Sequence, residues 1–420
     1  MGDLNDLEFR GYLFQLTDPD GLRARLNDGP ITLYSGFDPT ADSLHVGNLI
    51  PILGLRRFQL AGHHAIGLIG GGTGLIGDPS GSKEERPLNP PELIAEYTGN
   101  LTEQLARFLD FETRTNPARV VSNLGWLSEL KAIDFLRDTG KHFSMGYMLA
   151  KESVASRLET GISFTEFSYM VIQAYDFMEL FQAHGCELQI GGSDQWGNIT
   201  AGIELIRRRL GGQAYGLTFP LLEKADGSKF GKTASGTVWL DAGKTTPYQF
   251  YQHWINTDDR DVVKFLKLFT FLSGKEIENL EMETEHHPGK REAQRVLAEE
   301  VTTLVHDRSA TERARRISDA LFYGDLRDLS ASEIEEGFSD VPSRALNGVS
   351  GVGLTHLLVD VGISSSMRQA REDIRSGAIY VNGRRCTEMG TKLEPSDRIA
   401  GKYLVVRRGK RRYFLVRWNL

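Results

Sequence analysis

The sequence predicts an α/β protein: a doubly wound parallel sheet, then an α-helical region, then a small α+β module. Three observations carry this. Up to about residue 220, strand-like runs alternate with helical ones, the pattern of a parallel sheet with helical crossovers. From about 235 to 325 the pattern becomes helical, opening with PYQFYQHWINTDD and DVVKFLKLFTFL. Beyond 350 the charge balance reverses. Residues 351–420 hold 14 Lys+Arg against 6 Asp+Glu, whereas residues 1–350 hold 35 against 50.

At 420 residues the chain is too long for one ordinary core. We place the sheet domain at 1–225, the helical domain at 226–325, a polar linker at 326–350 and the basic module at 351–420. An acidic body with a basic tail suggests a polyanion held mainly by the tail, although a merely solvated basic surface fits the charge as well. A composition 40% hydrophobic and 25% charged is that of a globular protein. Cys186 and Cys386 give no disulfide framework or zinc spacing, which points to a reducing cytoplasm. The acidic start MGDLNDLEFR has no apolar signal core, and no apolar run is long enough for a bilayer. The doublets His63-His64 and His286-His287 lack metal-ligand spacing and read as surface histidines.

Strands are expected at 31–36, 65–70, 118–122 and 186–190, with helices near 48–61 and 91–110. The stretch TLYSGFDPTADSLHVGNLIP (32–51) is a strand, a Gly/Asp/Pro loop and a helix start. Pro51 sits in the early turns and Gly62 supplies the stop. Unpaired backbone N–H groups at such a helix start make an anion site, to which His45 adds a ring N–H. Gly47 would let a flat ligand approach. Taken alone, HVGN fits an ordinary loop histidine equally well. GGGTGLIGDPSG (70–81) follows the second strand, and its Asp78 needs a cation or donors. Between Thr165 and Phe181, Tyr169, Gln173 and Asp176 form one polar helical stripe. Its apolar neighbours Phe167, Met170, Val171 and Phe177 leave little of that helix for water. QIGGSDQWGNI (189–199) is a strand and Gly-rich turn, where Asp194 could accept from ribose hydroxyls or serve a structural loop. GSKFGKT (227–233) places Lys229 and Lys232 on a Gly-rich loop able to close over phosphates. In the tail, Arg368, Arg371 and Arg375 share a helix face, followed by a short strand and the turn Asn382-Gly383.

Five ordered motifs, YSGFDPTADSLHVGN, GLIGDPSG, GISFTEFSYMVIQAYDF, QIGGSDQWGN and KFGKT, resemble those of bacterial-type tyrosyl-tRNA synthetases. HVGN and KFGKT stand where class I aminoacyl-tRNA synthetases carry their two signatures. SSSMRQAREDIRSGAIYVNGRR resembles an alpha-L RNA-binding module also found in a ribosomal small-subunit protein. The resemblance covers nearly the whole chain and implies a Rossmann-like catalytic domain, an anticodon-end helical domain and an RNA-binding tail.

What the resemblance implies about chemistry is specific. L-tyrosine would be held by Asp78, Tyr169 and Gln173 at its ammonium and by Tyr34 and Asp176 at its phenol, with Gln189 and Gln195 near the tyrosyl group. ATP would meet Gly36, Asp38, Thr40, His45, Gly47, Asn48, Gly192, Asp194 and Lys232, with Asp194 on the ribose. Thr40, His45, Lys229 and Lys232 would act on the phosphates, joined by Arg86 and Lys83 of a mobile loop. The family's lysine position in that loop is Ser82 here, and lysine stands one residue later. Asn48 replaces the histidine that commonly ends the first signature. Magnesium would ride on the phosphates, tRNA(Tyr) would be the second substrate, and the enzyme would be a homodimer. Two rivals are tryptophan activation on a sister fold, opposed by Asp78, Gln173, Asp176 and Tyr34, and a non-enzymatic RNA-binding or splicing role, opposed by the intact signatures.

Overall fold

The computed structural model describes residues 3–81, 85, 87–158, 161–227, 230–233, 236–324, 326–347, 351–409 and 412–419. Two compact units emerge: residues 1–244 with 257–297, and residues 245–256 with 298–420.

The first unit is built on six strands: β1 (Gln15–Leu16), β2 (Thr32–Phe37), β3 (His64–Ile69), β4 (Arg119–Ser122), β5 (Cys186–Gly192) and β6 (Tyr215–Phe219), in the order β1-β6-β5-β2-β3-β4. All pairings are parallel except β1 with β6. Parallel strands are covered on both faces and so carry nearly continuous apolar runs. Tyr215–Phe219 is buried throughout. That run is too short and uniform to show a period, so neither it nor the two-residue β1 is evident in the sequence. The four expected strands form within two residues of their predicted bounds.

Chain order runs outward from β2 to β3 and β4 on one side, and from β5 to β6 on the other. The reversal therefore falls between β2 and β5, whose carboxyl ends open a crevice of the kind that binds ligands in such sheets. One face is covered by the helices Phe164–His184 and Trp196–Leu210, through Phe177, Met178, Ala201 and Leu205. The helix Leu49–Leu60 is buried along most of its length, and a Cβ at its Gly54 would press on the Phe219 ring at 2.7 Å. A three-residue 3₁₀ turn, Val46–Asn48, leads into that helix. Pro51 is its third residue, as the sequence requires, and Gly62 (φ 100°) follows its end. After β6 come the short pair β7 (Lys232–Thr233) and β8 (Gly236–Thr237).

Two of the four histidines depart from the expected surface placement, and His64 is half-buried at the start of β3. His63 is buried (3% exposed), and its Nδ1 accepts from the Ile31 N–H at 3.1 Å, capping the start of β2. His286 and His287 are exposed.

The second unit holds the helices Pro247–Ile255 and Arg308–Tyr323 and a five-stranded sheet. Its strands are β9 (Ser343–Asn347), β11 (Ile379–Val381), β12 (Arg384–Cys386), β14 (Tyr403–Arg408) and β15 (Arg412–Asn419), with β10 (Val352–Gly353) and β13 (Lys392–Leu393) paired separately. The helices Leu354–Asp360 and Met367–Arg375 cover one face through Leu357, Leu358, Ala370 and Ile374. Tyr403, Val405 and Leu415 cluster with Ile317, Ile334 and Phe338. Arg368, Arg371 and Arg375 are exposed, and Asn382-Gly383 forms the expected left-handed turn (φ 48° and 82°).

Two of the expected boundaries give way to a different grouping. The segment 226–325 divides: the helix Asp259–Phe269 joins the sheet unit, where Phe230 packs on Phe265 and Phe269 at 5.0 and 5.2 Å. The segment 326–350 is no free connector. It contains the helix Ala331–Gly337, capped by Ser330, and β9, which pairs in parallel with β15. Its polar composition hides the spaced apolar residues Leu326, Leu329, Ile334 and Phe338, all buried.

Candidate active site

The crevice between β2 and β5 is a cavity of about 620 Å³. Its lining draws on the ends of β2, β3 and β5, the helix Phe164–His184, and residues 220–223 with Phe230.

Along the helix the predicted polar stripe faces this cavity. Ser163 caps the helix start and Gly185 (φ 60°) ends it, so Tyr169, Gln173 and Asp176 are held in a fixed register. Asp176 is buried, and both oxygens are engaged: Oδ2 accepts from Asn123 Nδ2 at 2.8 Å and Oδ1 from Trp126 Nε1 at 2.7 Å. Burial pushes its carboxyl up to about 7, against those two donors, which pull it down. Asn123 reaches on to Thr73 Oγ1 (2.9 Å), Thr73 donates to Asp38 Oδ1 (2.7 Å), and Tyr169 donates to Asp38 Oδ2 (2.6 Å). A single chain of hydrogen bonds thus joins three strand ends and the helix.

A second cluster lies beside it. Gln195 donates to Asp78 Oδ2 at 2.7 Å and accepts from Gln173 Nε2 at 3.2 Å, while the Ser80 N–H closes on Asp78 Oδ1 at 2.9 Å. Three cavity-lining atoms have no hydrogen-bond partner among the described residues: the Tyr34 hydroxyl, Gln173 Oε1 and Gln189 Oε1. A buried polar atom left unpaired costs about 1–3 kcal/mol, so three in one cavity mark where a ligand bonds. Burial, then the Asp176 charge, holds the Tyr34 hydroxyl well above its ordinary range, so it remains a donor.

Thr40, His45, Gly47, Asn48, Gly192 and Asp194 line the same cavity. The structure corrects the expected anion site of free backbone N–H groups. The His45 N–H goes to Asn48 Oδ1 (3.0 Å), that of Gly47 to His45 Nδ1 (3.1 Å), that of Val46 to Val238 O (3.0 Å) and that of Asn48 to His45 O (2.8 Å). The side chains of His45 and Asn48 form a reciprocal cap, which consumes the His45 and Gly47 donors, while backbone carbonyls take the other two. With Nδ1 accepting, the neutral ring carries its proton on Nε2. An anion bound at this turn would meet side chains rather than those four N–H groups. Gly231 (φ 79°) lies against this turn: a Cβ on it would meet Val46 Cγ2 at 2.9 Å, so the two signature segments come together.

Of the residues expected to hold tyrosine, Tyr34, Asp78, Tyr169, Gln173, Asp176, Gln189 and Gln195 all line the cavity. So do Gly36, Asp38, Thr40, His45, Gly47, Asn48, Gly192 and Asp194 from the nucleotide set, although both Asp38 oxygens accept from the tyrosine-side residues Tyr169 and Thr73. Lys83, Arg86 and Lys229 lie outside the described residues, as does Ser82; Lys232 is placed by its backbone in β7. Sequence reasoning missed Thr73, Asn123 and Trp126. Asn123 and Trp126 follow a strand end, in NLGW directly after VVS, and that position was the available signal.

The class I tRNA synthetase (W and Y) family model matches residues 26–323, and the tyrosine--tRNA ligase SYY-like C-terminal domain model matches 333–416. The tyrosine--tRNA ligase of Geobacillus stearothermophilus is 61% identical over 99% of both chains, and tyrosine--tRNA ligase 1 of Bacillus subtilis is 58% identical over the same shares. The chain belongs to the class I tyrosyl-tRNA synthetases of bacterial type. That family ligates tyrosine to tRNA with ATP as a substrate. Among solved structures, a C-terminally truncated mitochondrial tyrosyl-tRNA synthetase of Aspergillus nidulans superposes with a TM-score of 0.70 at 30% identity. It covers 76% of this chain and 94% of its own. Among the described residues no helix is long and apolar enough to cross a membrane.

Proposed function

We propose that the cavity between β2 and β5 activates L-tyrosine with ATP, and that the basic tail holds tRNA(Tyr) for the transfer. The observation that carries this is the unpaired Tyr34 hydroxyl beside buried Asp176. A phenol placed there donates to Asp176 and accepts from Tyr34, satisfying the orphan. The tyrosine ammonium then meets Asp78, Tyr169 and Gln173, whose Oε1 is another orphan.

The tyrosine carboxylate is already ionised at neutral pH, so its attack on the α-phosphorus needs no general base. One carboxylate oxygen bonds to phosphorus as the bond to the pyrophosphate oxygen breaks. What the protein supplies is alignment and neutralisation of the developing charge. Thr40 and the His45 Nε2–H serve the outer phosphates, Gly47, Asn48 and Gly192 the nucleoside, and Asp194 the ribose. Lys229 and Lys232 serve the transferring group, with Arg86 and Lys83 on the pyrophosphate. Magnesium would ride on the phosphate oxygens. When bound there it supplies positive charge. In the second step a ribose hydroxyl of the terminal adenosine takes the tyrosyl group and AMP leaves.

Catalysis is assigned to the sheet unit together with the signature at 229–233, the anticodon end to the helical part of 226–325 beyond it and the main tRNA grip to 351–420, in a cytoplasmic homodimer. Ile133, Leu136, Met145, Leu158 and Phe164 are large apolar side chains exposed within one stretch, as a surface meeting its own copy would be. Tyrosine-dependent ATP–pyrophosphate exchange tests the reaction, and Tyr34→Phe tests the site. That variant should narrow the preference for tyrosine over phenylalanine while the ATP affinity holds. Unaltered selectivity would remove Tyr34 from the phenol site.

A further inference from the structure

We infer that Trp239 is a positioning residue for the His45 imidazole, braced from behind by Lys244 and Asp42; the inference rests on the role proposed for His45. His45 and Trp239 face each other in an isolated antiparallel bridge. The bonds Val46 N–H to Val238 O (3.0 Å) and Leu240 N–H to Leu44 O (2.8 Å) flank it. Directly opposed residues hold their side chains against each other, and the two rings meet edge to face with centroids 6.2 Å apart at 65°. Behind the indole, Lys244 Nζ lies 4.9 Å from the ring centroid and 2.5 Å from Asp42 Oδ1. Asp42 belongs to the loop that precedes His45, so the brace returns to the segment it supports.

This arrangement restrains His45 from two sides. Its Nδ1 is tied to the Gly47 N–H at 3.1 Å, a bond that by itself lets a ring swing about it. The Trp239 edge closes the swing and keeps Nε2–H turned to the cavity that His45 lines. A half-exposed ion pair stabilises little by itself, so the Lys244–Asp42 pair matters for geometry. The Val238 N–H also donates to Gly231 O (3.1 Å), so the segment holding His45 is tied to the second signature. Since His45 acts on charge that develops during the reaction, a displaced ring should lower kcat and spare substrate binding.

The test is a double-mutant cycle in the full-length chain, read by adenylate formation and by pyrophosphate exchange. His45→Ala should lower kcat by about 100-fold and Trp239→Leu by about tenfold, both with the KM for tyrosine within about twofold. Trp239→Phe should recover most of the loss. In the His45→Ala background, Trp239→Leu should cost less than about twofold, because the group it positions is gone. The same tenfold loss in both backgrounds would overturn the inference, as would a KM for tyrosine that rises with the loss. An undiminished kcat in His45→Ala would overturn the proposed role of His45 itself, and this inference with it. Should Trp239→Leu fail to fold, Lys244→Met loosens the brace from the surface. Its expected loss of about threefold should likewise vanish without His45, and its persistence would overturn the inference.

Discussion

Asp176 carries opposing demands, and pH separates them. Burial raises its carboxyl to about 7, while N–H bonds from Asn123 and Trp126 favour the ionised form. In the empty protein the folded pKa lies above the unfolded value of about 4. The protonated group therefore stabilises the fold fully below that value, and the contribution is lost as pH rises through about 7. A phenol donating to the carboxylate acts the other way, because it favours the ionised form. Tyrosine binding should then release a proton below pH 7 and weaken as pH falls, by up to about tenfold per unit between 7 and 5. Calorimetric titration across that range checks this, with Asp176→Asn as the variant in which the dependence disappears. A flat wild-type profile would show that the phenol does not meet an ionised Asp176.

The turn that ends β3 shows how whole elements shape the pocket. The Gly70 N–H bonds to Phe37 O at 3.0 Å, bringing the ends of β2 and β3 together, and a Cβ there would run into Asp38 Oδ1 and Thr73 Oγ1. Gly36, by contrast, has no atom within 4 Å of such a Cβ and borders the open cavity. Gly70→Ala should cost about 1–3 kcal/mol of stability and weaken tyrosine binding, since Asp38 must leave Tyr169 and Thr73. Gly36→Ala should leave the melting temperature unchanged and act on ligand binding alone. Thermal melts with tyrosine titrations distinguish them, and equal Tm losses in both would refute the contrast. These strand ends were legible because HVGN, GDPSG and QIGGSD each follow a readable apolar run. The network behind them was not. Asp38, Thr73 and Asn123 lie far apart in sequence, and nothing local shows that their side chains bond to one another. The cap formed by His45 and Asn48 was missed for a related reason: residue types identify possible donors and acceptors, but only geometry shows which are already spent.

At the scale of the whole molecule, the charge boundary and the folding boundary fall at different places. The sequence marks 351 as the start of the basic tail, and 14 Lys+Arg against 6 Asp+Glu beyond it suit tRNA phosphates. The fold does not divide there. A chain ending at Asn347 would keep β9 without β15, its strand partner among the described residues, and would uncover Ile334 and Phe338 where Tyr403, Val405 and Leu415 now pack. A chain ending at Gly324 drops β9 and the helix Ala331–Gly337 together with the sheet, uncovering buried Ile317 and the partly buried Tyr248, Ala320 and Leu321. We expect the 324-residue form to melt above the 347-residue form and to aggregate less, because unpaired edges and uncovered apolar faces drive association. Both should retain tyrosine-dependent pyrophosphate exchange wherever they stay folded, since every residue lining the cavity lies at or before Phe230. Transfer to tRNA should fall severely in both, and the salt dependence of residual tRNA binding should become shallower as phosphate contacts are lost. Full-rate charging by either form across a salt series would show that the tail is not the principal grip. Loss of exchange in a folded 324-residue form would show that the tail also supports the catalytic site.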